Sequence, residues 1–332
     1  MNHWKHYLHV DPIPALLNSG RSEIAYFVRR DLQDDQTESA RTLWKLPVVE
    51  KIFNKQASNG SWKYHGGKNH IRAPHNYDQL ETYRILGELI EKYGLTRAHP
   101  AIPLAAEFLF GFQTDEGDFR GIYGDQYSPN YSAAIMELLI KAGYADDARI
   151  TRGFRWLLSV RQDDGGWAIP LRTVGAKYPG SIRTGADCIA PDRSKPFSHL
   201  ITGVVLRAFA AHPHYRSTDA AAHAGALFTS RFFKADVYSD RKAPSYWTKF
   251  SFPFWFTDLL SSLDSLSLLG FPIDNPNIVK AFDWFRSEQD GDGLWRLSLL
   301  RTKDKALNEW VSLAVCRVVK RSHHGVPTVS ND

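Results

Sequence analysis

Apolar residues return at helical spacing along most of this chain, and short polar runs rich in glycine and aspartate separate the stretches. Ahead of such runs, the pattern predicts helices at Ala40 to Gln56, Ile102 to Gln113, Ile150 to Gln162, Asp219 to Phe233 and Asn277 to Gln289. Behind them it predicts a second set at Tyr77 to Tyr93, Asn130 to Ala142, Phe197 to Ala211, Pro253 to Leu269 and Asn308 to Lys320. Pro74, Pro129, Pro196 and Pro253 mark the starts of this second set, where a first helical turn has no use for the missing N–H. An earlier helix, Glu23 to Leu32, supplies a partner for the first of the entering helices. No stretch alternates convincingly with a period of two, so the reading is an all-α chain of five to six helical hairpins.

The punctuation itself repeats. The copies are Q-A-S-N-G-S-W (Gln56, Gly60, Trp62), Q-T-D-E-G-D-F (Gln113, Gly117, Phe119), Q-D-D-G-G-W (Gln162, Gly166, Trp167) and Q-D-G-D-G-L-W (Gln289, Gly293, Trp295). Three share the spacing Q-x-x-x-G-x-W/F, and the third reads one residue short. Each element has a physical use: the glutamine amide both donates and accepts toward backbone, the glycine takes a conformation a Cβ would forbid, and the aromatic is a packing plug. The copies begin at 56, 113, 162 and 289, and the last gap spans two units. A degenerate unit is expected inside it, over Thr218 to Phe233 and Ala235 to Tyr246.

These turns resemble the QW motifs of the squalene cyclase and protein prenyltransferase superfamily, over roughly residues 20 to 320. The resemblance implies an α/α toroid in which helices entering the turns lie outside and those leaving them line a central cavity. It also implies an apolar, isoprenoid-like ligand. One toroid, a single domain over residues 1–332, accounts for the length.

Composition narrows the setting. Lys and Arg are scattered among 36 acidic residues, with no basic run, which argues against nucleic acid. Two cysteines, Cys188 and Cys316, cannot form a disulfide framework and suit a reducing compartment. Met1 to Val10 is polar and aromatic, unlike a secretory leader, so a cytoplasmic protein is expected. The most apolar window, Phe250 to Phe271, contains Asp258 and Asp264, which is costly in lipid. It is read as an inner helix, with peripheral membrane contact left open because relatives that handle isoprenoids draw them from membranes. Nothing in the sequence fixes an oligomeric state.

Chemistry is expected where inner helices meet the cavity. Asp258 ends the run F-S-F-P-F-W-F-T-D, and burial among aromatics would raise its pKa toward that of a Brønsted acid. Phe252, Phe254, Trp255, Tyr77 and Tyr131 are expected to line the ligand site, with Ser262 below Asp258 on one polar stripe and Ser265 continuing it. His75, Asp78 and His199 are expected as wall residues at helix starts. The opposing reading makes Asp258 a capping residue and the aromatics core.

Class II terpene cyclases protonate their substrate through Asp-x-Asp-Asp, which this sequence lacks. Asp31, Asp34 and Asp35 have another spacing and read as a solvated helix end. Prenyltransferases hold zinc through Asp-x-Cys and a distant histidine; here Asp187 and Cys188 are adjacent, with His199 beyond, so zinc is the less favoured reading and magnesium likewise. No cofactor is expected. Asp290, Asp292 and Gly293 resemble a calcium loop only in part, and His212 and His214 read as a connection. Arg172, Lys177, Arg183, Arg193 and Lys195 populate the loop from Pro170 to Pro196, where they could meet a diphosphate or form a solvated cover. Two functions remain: a cofactor-independent terpenoid cyclase or isomerase, and a non-catalytic toroid that binds an apolar ligand or serves as a scaffold. Zinc-dependent prenyl transfer is third.

Overall fold

A computed structural model describes residues 3–65, 77–122, 124–126, 128–176, 187–238, 240–300, 302, 304 and 306–324. Its helices fall into pairs: α1 (Ile13–Leu17) with α2 (Ser22–Phe27), α3 (Pro47–Phe53) with α4 (Tyr77–Tyr93), and α5 (Ala101–Phe110) with α6 (Pro129–Leu139). Then follow α7 (Ala148–Ser159) with α8 (His199–Ala211), α9 (Asp219–Thr229) with α10 (Leu259–Leu268), and α11 (Pro276–Ser287) with α12 (Leu307–His324). Wider, π-type turns extend α2 through Leu32 and α6 through Tyr144. Among the described residues only isolated bridges stand in for strands.

The even-numbered helices form the inner ring. Each packs on the next, α2 on α4, α4 on α6, and so on to α12, which returns to α2 and its extension. Burial separates the two layers. Every residue of α8 but the last is buried, whereas α7 hides only the stripe Ile150, Gly153, Phe154, Trp156 and Leu157, the helical period of a face against one neighbour. This is the all-helical architecture of an α/α toroid.

The turns work as clamps. Gln56 Nε2 donates to Gly60 O at 3.0 Å and to Ala101 O at 2.9 Å, so one amide closes its own turn and holds the start of the next outer helix. Gln113 does the same with Gly117 O and Arg149 O. Gln289 reaches Gly293 O and Val10 O, tying the last unit to the first. The aromatic's backbone N–H then donates to a hydroxyl of the following inner helix: Trp62 to Thr82, Phe119 to Ser132, Trp167 to Thr202 and Trp295 to Ser312. Each indole N–H reaches back to a carbonyl of the preceding outer helix, at Ile52, Leu157 and Phe285. Glycine is required at the turn because φ is +86° at Gly60 and a Cβ there would lie 2.1 Å from Leu104 O.

The third unit is in full register after all. Arg161, not Gln162, occupies the anchor, donating from Nε to Gly165 O at 2.6 Å, and Gly165, not Gly166, carries the positive φ. Gln162 instead holds Asp192 O and Lys195 O. The degenerate unit uses the same device: Arg231 donates to Ala235 O, and Trp247 Nε1 donates to Lys234 O.

Several helix boundaries differ from the sequence pattern. Pro47 interrupts the first entering helix, leaving a tighter turn at Ala40–Lys45 before α3. Pro253 does not start the fifth inner helix: Phe252–Pro253 is a cis bond in an irregular segment, and α10 begins only at Leu259. Asp34 and Asp35 are a solvated helix end, as expected, but Asp31 is drawn into the ring closure, where Arg317 pairs with it, and Lys320 reaches the exposed Asp34. Among the described residues no helix is long and apolar enough to cross a membrane.

Candidate functional site

Between α9 and α10 the chain from Phe250 to Asp258 crosses the inside of the ring. Two glycines on inner helices make room for it. A Cβ on Gly203 of α8 would lie 2.5 Å from the Thr257 side chain, and one on Gly87 of α4 would lie 2.5 Å from the Trp255 indole. Thr257 Oγ1 donates to Leu200 O at 2.6 Å, fixing the segment to α8. Its aromatics are all engaged: Phe250 on Phe285, Phe252 stacked on Trp310 at 5.2 Å, Phe254 edge-on to Phe252, Trp255 edge-on to Tyr83 at 5.4 Å, and Phe256 under the Arg241 guanidinium at 3.5 Å.

Asp258 caps α10. Its Oδ1 accepts from Ser261 N at 2.8 Å, and Ser261 Oγ accepts from Asp258 N at 3.0 Å, a reciprocal capping box. The capping reading is therefore correct as far as Oδ1. The other oxygen, Oδ2, is buried without a partner, and the residue is 1% exposed. Desolvation pushes its pKa up to about 7 against the opposing pull of Ser261, Arg207 and the backbone N–H of Ser251, so about half of the carboxyl carries a proton at pH 7. Ser262 Oγ and Ser265 Oγ donate to carbonyls of Asp258 and Ser261, one turn back; the expected polar stripe is spent on its own helix.

A buried ion network lies beside it. Arg207 Nε donates to Glu137 Oε2 at 2.8 Å, Arg207 Nη1 donates to Phe256 O at 3.3 Å, and Nη2 has no partner. Glu137 also accepts from Lys141, which reaches Glu91 at 2.6 Å. The two cations hold the Glu137 carboxyl below its usual range despite full burial. Sequence reading missed this network, whose one available signal is register: five residues past the turn-binding hydroxyls Thr82, Ser132, Thr202 and Ser312 stand Gly87, Glu137, Arg207 and Arg317.

The other expected residues are dispersed. His75 lies outside the described residues, as do Lys177 and Arg183. Tyr77 and Asp78 hold Tyr64, the first edge-on at 4.6 Å and the second accepting its N–H at 2.9 Å. Tyr131 is half-buried in the first turn of α6. His199 stacks on Trp247 at 4.6 Å with Nδ1 3.2 Å from Asp236, off hydrogen-bond alignment. Burial lowers its pKa to about 4, leaving it neutral. Asp187 is exposed while His199 is buried against Asp236, so these two and Cys188 do not fit a zinc site; the described residues contain no cluster of three metal-binding side chains. Arg172, Arg193 and Lys195 pair with Asp240, Asp163 and Asp192.

No family model matches the chain. A squalene–hopene cyclase of Zymomonas mobilis is 23% identical over 161 residues, which cover 45% of this chain and 24% of that enzyme. The likeness thus spans about a quarter of the relative, and it points toward the squalene cyclase superfamily. A solved structure of a protein from Actinoplanes, 15% identical, covers 90% of this chain and 99% of its own, with a TM-score of 0.40.

Proposed function

We propose that this chain is a terpenoid cyclase or isomerase that acts on an isoprenoid-like apolar molecule inside the ring, with Asp258 as its Brønsted acid. The observation that carries the reading is the state of Asp258: one oxygen fixed by the helix cap, the other buried and unpartnered, and a pKa pushed up to about 7. Such a carboxyl is protonated in a substantial fraction of molecules at neutral pH, and its second oxygen, which the helix cap does not use, would carry the proton.

In the proposed reaction, Oδ2–H protonates a carbon–carbon double bond of the substrate. A C–H bond forms, the electron pair of the double bond is consumed, and a carbocation remains. The Ser261 N–H on Oδ1 and the field of Arg207 steady the carboxylate left behind. The rings of Trp255, Tyr83 and Phe254 offer π faces to the cation. Transfer of a proton from a neighbouring carbon to the Asp258 carboxylate ends the sequence and restores the acid, so no cofactor or net oxidant is needed. The missing Asp-x-Asp-Asp motif is met here by one aspartate whose acidity is set by burial.

A second reading is a non-catalytic container, supported by the same cap: Asp258 performs a structural task, and its serines bond within their own helix. Asp258→Asn separates the two, since asparagine caps a helix as well as aspartate but has no acidic proton. Wild type and variant would be incubated with squalene and with prenyl diphosphates, and products and bound ligand analysed by gas chromatography with mass spectrometry. A cyclase converts substrate and loses turnover in the variant while keeping ligand; a container retains ligand unchanged in both.

A further inference from the structure

In four of the repeat turns the aromatic stands six residues past its anchor: Gln56 to Trp62, Gln113 to Phe119, Arg161 to Trp167 and Gln289 to Trp295. In the degenerate unit it stands sixteen past, Arg231 to Trp247, so ten residues are inserted, from Asp236 onward. Insertions into repeat arrays gather on one face, commonly the binding face. This one lies at the helix starts, beside Asp258. Asp236 Oδ2 accepts from Leu200 N at 3.0 Å and from Ser198 Oγ at 2.9 Å, while Thr257 Oγ1 donates to Leu200 O. The insertion and the segment that carries the acid thus hold the two ends of one residue of α8.

The insertion is held unequally along its length. Asp236 is buried and takes a third donor, Tyr238 N, at 3.1 Å, and the Tyr238 hydroxyl reaches Pro196 O, so this end is a fixed anchor. The far end is tied at the surface. Asp240 accepts two hydrogen bonds of 2.7 Å from Arg172, in the long loop of the third unit, but both side chains are partly exposed and water screens such a pair. Arg241 lays its guanidinium over the half-buried ring of Phe256 at 3.5 Å, two residues before Asp258. Its backbone is left-handed, with φ +46°, a strained state for arginine that the ties on either side maintain: Arg172 on Asp240, and Asp236 N on Lys242 O at 3.0 Å. A deep anchor, a weak far tie and a strained residue resting on the acid's own segment are the parts of a lid.

We infer that this insertion is a lid over the Asp258 segment, anchored at Asp236 and latched by Asp240 on Arg172 and Arg241 on Phe256, and that an apolar ligand enters when the latch opens. The inference deepens the proposed function: the nature of the ligand rests on that reading, and the lid itself does not. Opening is easy because both latches are weak, and in the closed state Asp258 is 1% exposed.

Hydrogen exchange of the full chain, read by mass spectrometry on peptides covering 250–258 and, as a control, the outer helix α5, tests the lid without any ligand. Asp240→Asn and Arg241→Ala should each raise exchange over 250–258 about threefold and together about tenfold, with α5 unchanged. Arg172→Asp combined with Asp240→Arg should return exchange to the wild-type rate. Unchanged exchange over 250–258, or an equal rise in α5, overturns the lid. Stopped-flow binding of farnesol tests entry: association should quicken by the same factor as exchange. Farnesol that associates at one rate in all variants overturns entry past this insertion and leaves the proposed function standing. Farnesol bound by none of them removes the apolar ligand of the proposed function, and exchange alone then decides the lid.

Discussion

Arg161 donates from Nε to the carbonyl of Gly165, the same four-residue step by which Gln56 closes on Gly60. A guanidinium and a primary amide are different groups, but each presents an N–H at a distance that reaches this carbonyl. Arg161→Gln should therefore be nearly neutral, whereas Arg161→Ala leaves the Gly165 carbonyl without its donor and should cost about 1 kcal/mol. Urea denaturation of the two variants checks this. Equal loss in both would mean that glutamine does not replace Arg161 at the anchor, and no loss in Arg161→Ala would mean that the turn does not depend on it.

Trp295 is fully buried, with its indole N–H on Phe285 O and its backbone N–H on Ser312. It links α11, its turn and α12 at once. Trp295→Ala should cost roughly 3 to 5 kcal/mol, as for other buried aromatic deletions. An unchanged denaturation midpoint would contradict the clamp.

The turns were legible in the sequence because their chemistry is local: glutamine, glycine and aromatic act within seven residues of one another. The inner and outer roles of the helices came from the resemblance that those turns carry. What escaped detection was of two kinds. Arg161 and Arg231 replace glutamine by geometry and not by residue type, so a letter pattern reads one copy as short and another as missing. The seating of Trp255 on Gly87 and the pairing of Arg207 with Glu137 join residues far apart in the chain, which no periodicity reports. Asp258 was found as a carboxyl among aromatics, but Pro253 suggested a helix start that belongs to Asp258 itself.

Arg207 and Glu137 are both almost fully buried and lean on each other. Removing one partner strands the other charge. Glu137→Ala should cost about 3 to 5 kcal/mol, while the double change Glu137→Leu with Arg207→Met should cost less than either truncation. A double-mutant cycle by chemical denaturation measures this, and a double variant as damaged as the sum of its singles would show that the pair is not coupled.

Burial of Asp258 also predicts a pH dependence with a definite sign. Its carboxyl ordinarily titrates near 3.8, and in the folded ring near about 7. Below the lower value both states hold the proton. Between the two the unfolded chain releases it freely and the folded chain does not, so this residue's contribution to stability falls as pH rises. Asp258→Asn should therefore gain stability relative to wild type between about pH 4 and about pH 7, then hold level. Thermal unfolding across that range reads the difference; a gap that stays flat with rising pH would mean that Asp258 is ionised in the folded protein.

Whether Asp258 delivers a proton to an apolar ligand is tested most directly by running wild type and Asp258→Asn with an isoprenoid substrate in heavy water. The proposed acid exchanges with solvent between turnovers, so wild-type product should carry deuterium at the protonated carbon, and Asp258→Asn should release the isoprenoid unlabelled and unchanged while still binding it. Wild-type protein that binds the isoprenoid and returns it without deuterium or rearrangement would contradict the acid and leave a ligand container.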